Sequence, residues 1–127
     1  MNRLLDSNIL IYAAQPENSF LDTWISPVTA QVSAISIPEV LGFPELTAED
    51  EAIFEDWFSV LFVHAVTDPI LRQAAALRRQ QRMKLGDSIV AATALVTASA
   101  LVTRNVDDFK HIPGIELINP FANPHNS

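Results

Sequence analysis

The strongest constraint on this chain is an alternation, sustained from end to end, between short apolar runs and segments of helical spacing. Arg3-Leu4-Leu5, Val32 to Ile35, Leu61 to Val66, Leu101-Val102-Thr103 and Ile115 to Ile118 read as five short buried strands. Between them the spacing predicts helices over Asn8 to Ala14, Phe20 to Ile25, Pro38 to about Phe43 and Thr47 to about Phe58. Two more follow, one opened by Thr67-Asp68-Pro69 and one running from Gly86-Asp87-Ser88 to about Ala98, with a short turn at Asp107 to Lys110. Pro38 suits a first helical turn, where its missing N–H is not needed. Thr47 and Asp50 have the spacing of a capping box. Strands alternating with helices imply an α/β fold with a central parallel sheet of about five strands and helices on both faces.

The chain has 127 residues, 49% of them apolar and only 3 of them Gly, which suits a single domain with a sizeable core. No repeat, low-complexity tract or linker divides it. The domain is expected to span residues 1–121, with residues 122–127 as a tail. Cysteine is absent, so disulfides, thiolate zinc sites and cysteine nucleophiles are excluded. Asp6 and Asn8 interrupt the apolar run MNRLLDSNILIY, making it a poor signal peptide. The strongly apolar run from Ile89 to Val102, 14 residues with Thr and Ser inside it, is too short to span a membrane. The expectation is a cytoplasmic protein with no membrane association.

A net charge of −7 argues at first sight against a nucleic-acid partner. Its distribution argues less strongly. Arg72, Arg78, Arg79, Arg82 and Lys84 cluster together, with Arg104 and Lys110 further on, while Glu45 to Asp56 carries six acids and no base. The basic run could face phosphates, or it could be a solvated helix face.

Three acids stand alone in apolar segments: Asp6 in LLDSNILIY, Glu39 in ISIPEVLGF and Asp87 in LGDSIVAATALV. Each has an ordinary explanation. Asp6 and Asp87 could cap helices, and Glu39 lies where a helix dipole favours negative charge. Together they ask for more, because buried carboxylates without partners are costly. In a parallel sheet, ligands bind outside the carboxyl ends of the strands. Asp6 follows strand one directly, Glu39 follows strand two by about a turn, and Asn105 and Asp108 follow strand four. Asp87 begins the helix that feeds strand four, so the sequence does not place it on that rim. Oxygen ligands without cysteine point to Mg²⁺ or Mn²⁺. Zinc would want a histidine cluster, but His64, His111 and His125 are scattered. His64 reads as an ordinary strand residue.

These segments resemble the motifs of the PIN domain, and in particular of the short bacterial toxins of the VapC type. LLDSNILIY resembles the strand-one motif, SAISIPEVLGF the glutamate segment, LGDSIVAATAL the central helix, and LVTRNVDDFKHIPGIELINPF the closing strand, turn and strand. The likeness runs in order from residue 3 to residue 121. It implies metal-binding and catalytic roles for Asp6, Glu39 and Asp87, with Asn8 as a supporting hydrogen-bonder. Many relatives carry an aspartate where this chain has Asn105. Asp108, three residues on, is the candidate replacement as fourth ligand, with Thr103 and Asn105 supporting the site. The implied activity is Mg²⁺- or Mn²⁺-dependent endoribonuclease action on single-stranded or loop RNA, with Arg82, Lys84 and Arg104 as candidate phosphate contacts. The implied assembly is a homodimer bound by a small antitoxin protein.

Rival readings fit less well. A phospho-acceptor regulatory domain would show paired acids after the first strand and a lysine after the last. An aspartyl-nucleophile phosphatase would want an acid where Asn8 stands. A catalytically degenerate PIN-like module that only binds RNA or protein is kept open by Asn105.

Overall fold

A computed structural model describes residues 2–122. The tail expected at residues 122–127 therefore lies, apart from Ala122, outside the described residues. Five strands form one sheet: β1 (Arg3–Leu5), β2 (Ala30–Ser33), β3 (Phe62–His64), β4 (Ala100–Val102) and β5 (Leu117–Ile118). Their order is β3-β2-β1-β4-β5, and every neighbouring pair is parallel. The expected α/β architecture is present. Five α-helices accompany the sheet: α1 (Ser7–Ala13), α2 (Ser36–Leu41), α3 (Ala48–Val60), α4 (Asp68–Gln80) and α5 (Leu85–Val96). A 3-10 segment, Pro16–Trp24, follows α1, and a single 3-10 turn, Val106–Asp108, follows β4.

The period-two geometry of a strand divides the core. Leu4 and Leu101 face a cluster built with Ile70, Leu77, Val90 and Phe109. Their neighbours Leu5 and Val102 face the other cluster, with Ile9, Leu10, Leu21, Val40 and Phe54. A strand covered on both faces must be apolar throughout, which is why β1 and β4 carry no alternation. Helix α5 is nearly as enclosed, being buried continuously from Ser88 to Ala94. Its polar members are satisfied locally: the Ser88 and Thr93 hydroxyls donate to the carbonyls of Leu85 and Ile89, at 2.6 and 2.7 Å. Trp24 belongs to the core, while Trp57 and Phe58 are partly buried against it.

Several boundaries differ from the sequence reading for identifiable reasons. Strand β2 begins at Ala30 because parallel pairing sets Ala30 against Arg3, and it ends at Ser33. There the Ser33 hydroxyl accepts from the Ile35 N–H at 3.2 Å and turns the chain into α2. The helical stretch expected from Phe20 starts earlier, at Pro16, whose ring presets a first helical turn. Helix α5 starts at Leu85 with Lys84 in extended conformation before it, so Asp87 lies within the first turn and caps nothing.

Helix α3 is capped as its spacing suggests, but on one side only. The Thr47 hydroxyl accepts from the Asp50 N–H at 3.1 Å. Loss of such a cap costs about 1 kcal/mol. Thr47→Ala is expected to lower the unfolding free energy by that amount, read as a lower urea midpoint with an unchanged slope of the transition. Thr47→Ser is expected to retain most of the stability.

Candidate functional site

The strand order reverses at β1. The chain steps outward to β2 and β3 on one side, and later to β4 and β5 on the other. At such a switch point the connections diverge and leave a crevice beyond the strand ends. The first residues past β1 and β4 are Asp6 and Thr103, and both are buried. They are joined directly: the Thr103 hydroxyl donates to Asp6 Oδ2 at 2.9 Å. Thr103 Oγ1 also accepts from the Asn105 N–H at 3.0 Å, which fixes its proton toward Asp6. The Asp6 N–H donates to the Val102 carbonyl at 2.9 Å, tying the carboxylate's own backbone to β4.

Glu39 arrives from α2. Its Oε1 accepts from the Ser7 hydroxyl at 2.7 Å, and Ser7 Oγ lies 2.7 Å from Ser36 Oγ. A carboxylate only accepts, and a hydroxyl has one proton. Ser7 therefore gives its proton to Glu39, and Ser36 supplies one to Ser7. Ser7 and Ser36 are buried, so this relay links the first turns of α1 and α2 beneath the site. Sequence reasoning passed over both serines in favour of Asn8. Helix α1 begins at Ser7, so residue 7 faces inward and residue 8, about 100° further round, faces out. Asn8 is exposed, yet it lines the same hollow. The available signal was a hydroxyl beside an isolated acid in an apolar run.

Asp87 completes the group. Asp6, Glu39 and Asp87 line one hollow of about 310 Å³, together with Ser7, Asn8 and Lys84. The fold thus brings Asp87 to the rim, a placement that the sequence left undecided. Asp108 lines an adjoining hollow of about 230 Å³, whose wall also includes Arg82, Lys84 and Asp87. Arg104 and Asn105 border a further hollow beside Asp107 and Asp108. The Arg104 guanidinium lies over Phe121 and Tyr12, 4.2 and 5.1 Å from their ring centroids. His64 is outside the site. It is half-buried on β3 with Nε2 2.6 Å from Gln31 Oε1, and burial lowers its pKa.

The electrostatics are strained toward neutrality. Burial, with repulsion from Asp87 and Glu39, raises the Asp6 pKa to about 6, against the lowering effect of Thr103 and the Ser7 amide. Burial and the charges of Asp108 and Glu39 raise that of Asp87, opposed by Lys84. The ion pairs recorded among the described residues, Arg72–Asp68 and Lys110–Asp107, engage none of Asp6, Glu39, Asp87 or Asp108. Among the described residues, no three His, Asp or Glu side chains stand as a ready-made ligand set.

The family model of the PIN domain matches residues 3–115. The chain belongs to the PIN domain family. Solved structures agree with this PIN domain over nearly its whole length. A toxin–antitoxin complex from Klebsiella pneumoniae is 29% identical with a TM-score of 0.76, covering 94% of this chain and 98% of that one. VapBC2 from Rickettsia felis, bound to a promoter DNA fragment, is 22% identical with a TM-score of 0.77 and the same coverage. FitAcB from Neisseria gonorrhoeae is 20% identical with a TM-score of 0.76, again covering 94% and 98%. A comparison with curated proteins gave no match. Among the described residues of this PIN domain, no helix is long and apolar enough to cross a membrane.

The raised Asp6 pKa sets a stability trend. An acid whose folded pKa exceeds its unfolded value of about 3.8 weakens the fold wherever it is ionised in both states. The penalty is complete above pH 6, shrinks as pH falls through 6, and vanishes below 4. At full size it amounts to about 3 kcal/mol. In EDTA, Asp6→Asn is therefore expected to be more stable than the parent at pH 7.5, with the difference narrowing toward pH 5. A difference independent of pH would remove Asp6 as its source.

Proposed function

We propose that this PIN domain is a Mg²⁺- or Mn²⁺-dependent endoribonuclease, the toxin of a toxin–antitoxin pair. One observation carries the reading: Asp6, buried at the sheet's switch point, shares one hollow with Glu39 and Asp87, and none of the three takes part in an ion pair among the described residues, in a member of the PIN family. The donor set fits a hard divalent cation. All the candidate ligands are oxygens and cysteine is absent, and burial first, then neighbouring carboxylates, raises the pKa of Asp6 and of Asp87, a cost that a bound cation would relieve.

Asp6, Glu39 and Asp87 would hold the ion, with Asp108 reaching from the adjoining hollow. When bound, the ion would polarise a phosphodiester and make a nucleophile of water. The chain's own contribution is positioning. Thr103 points one Asp6 oxygen, and Ser7, backed by Ser36, points one Glu39 oxygen. A carboxylate of the cluster would take the proton of the attacking water. Asn105 adds no charge, and its N–H serves to orient Thr103. Lys84 and Arg82 border Asp87 and Asp108, where they can meet the flanking phosphates of an RNA strand. Arg104, laid on Phe121, presents a planar cation beyond Asn105 for a phosphate or a base. Partners follow from the same reading. The structural neighbours include toxin–antitoxin complexes, one of them 29% identical over 94% of this chain. A homodimer bound by a small antitoxin, acting in the cytoplasm, is the proposed assembly. Residues 1–121 are proposed as the nuclease domain.

Cleavage of a mixed single-stranded RNA pool with Mn²⁺ tests this. Asp6→Asn, Glu39→Gln and Asp87→Asn are each expected to lose at least about 100-fold in rate while folded, as loss of metal ligation or charge stabilisation does. EDTA should abolish cleavage by the parent. Millimolar Mn²⁺ should raise the parent's melting temperature, and less so that of Asp87→Asn. RNA binding without cleavage in the metal-loaded parent would instead identify a catalytically degenerate binding module. Around Asp108, Asn105→Asp is expected to tighten Mn²⁺ binding and Asp108→Asn to weaken it less than Asp87→Asn does. Equal losses from the last two, by calorimetric titration, would make Asp108 a full ligand.

A further inference from the structure

Glycine is a poor occupant of a helix, yet Gly86 is the second residue of α5. Its backbone does not demand glycine, because the positive φ values among the described residues belong to Ala98 and Gly114. The reason lies across the site. A Cβ added at residue 86 would overlap Glu39 Oε2 and stand 3.1 Å from its Cδ and 3.5 Å from its Oε1. No other group comes as near. The space that glycine leaves open is occupied by one side chain, and that side chain is a carboxylate of the cluster.

Glu39 is thereby held from two sides. Ser7 donates to Oε1 at 2.7 Å, and Oε2 rests against the bare Cα of Gly86. The two contacts come from α1 and α5, while Glu39 itself comes from the short helix α2. A glutamate has three rotatable side-chain bonds, and fixing them carries an entropic cost that one hydrogen bond offsets only in part. A seat of the right shape restricts the same bonds without a further polar partner. Because Asp87 is the next residue, the seat also sets Glu39 beside Asp87 in the hollow they share with Asp6.

We propose that Gly86 is a positioning residue, whose missing Cβ forms the seat that holds the Glu39 carboxylate in register with Asp6 and Asp87. The proposal rests on the metal-dependent reading only where it concerns ion affinity. The steric seat stands apart from it.

A double-mutant cycle separates the two. Gly86→Ala, Glu39→Ala and the double variant are melted in EDTA. Alanine is the better helix former, so in the Glu39→Ala background Gly86→Ala should raise the melting temperature by about 3 °C. With Glu39 in place the gain should fall to less than half, because the carboxylate is displaced. Mn²⁺ is then titrated by calorimetry into the parent and Gly86→Ala, with an expected loss of about tenfold in affinity, as for disturbed ligand support. Glu39→Asp retracts the carboxylate by one methylene. It should recover part of that loss when combined with Gly86→Ala, and weaken binding when made alone. Equal melting gains in both backgrounds, or parental Mn²⁺ affinity in Gly86→Ala, would overturn the seat. If Gly86→Ala fails to fold while the double variant folds, the collision is with Glu39 and the seat stands. If both fail, the space serves something else and the proposal is lost. A parent that binds no Mn²⁺ overturns the metal reading, and the melting cycle still decides the seat.

Discussion

The hydrogen bond between Thr103 and Asp6 makes a buried carboxylate tolerable at the centre of the sheet. Asp6 is 5% exposed, directly beyond the middle strand, with two other acids sharing its hollow. Burying an ionised group without a partner is among the most expensive choices a fold can make. Thr103 offsets part of that expense, and its own orientation depends on the Asn105 amide. The remainder is left standing as a raised pKa. The rest of the architecture serves this arrangement. Strands β1 and β4 must be adjacent and parallel for the two side chains to meet, and both faces of those strands must be covered to keep water away.

The site is therefore less a set of ligands than a set of supports. Each principal acid comes from the start of a different element. Asp6 stands ahead of α1, Glu39 in the first turn of α2 and Asp87 in the first turn of α5. Helix N-termini favour negative charge, so the dipoles of three helices act in the same sense as a bound cation would. Serine and threonine hydroxyls add direction, and α5 adds shape. A protein that ordered its carboxylates by salt bridges would have to break them to admit an ion. This one uses neutral donors, which stay in place when a cation arrives.

Much of this was legible in the residues. The strands showed as apolar runs because parallel strands covered on both faces leave no polar alternation. Asp6, Glu39 and Asp87 showed as charges isolated in apolar surroundings. The position of Asp87 did not, because it precedes a helix rather than following a strand, and only the packing of α5 against the sheet brings it to the rim. Ser7 and Asn8 are adjacent, and the choice between them turns on where α1 begins, a boundary that tertiary contacts set. The role of Gly86 was hidden for a different reason. A residue that acts by lacking atoms leaves no chemical trace in a sequence, and its partner lies 47 positions earlier.

The pairing of Asp6 with Thr103 also has a consequence in time. The two residues are 97 positions apart, and the central strand they extend is paired on one side by β4. On a ribosome adding about 5–20 residues per second, Asp6 is made roughly 5–20 s before its partner. Throughout that interval β1 lacks one neighbour, and Asp6 has neither its proton donor nor its enclosure. Glu39 and Asp87 are synthesised within the same wait. The acids of the nascent chain can thus be drawn together only after Thr103 has been made, 97 residues behind Asp6, and until then the cluster has no closed site to occupy.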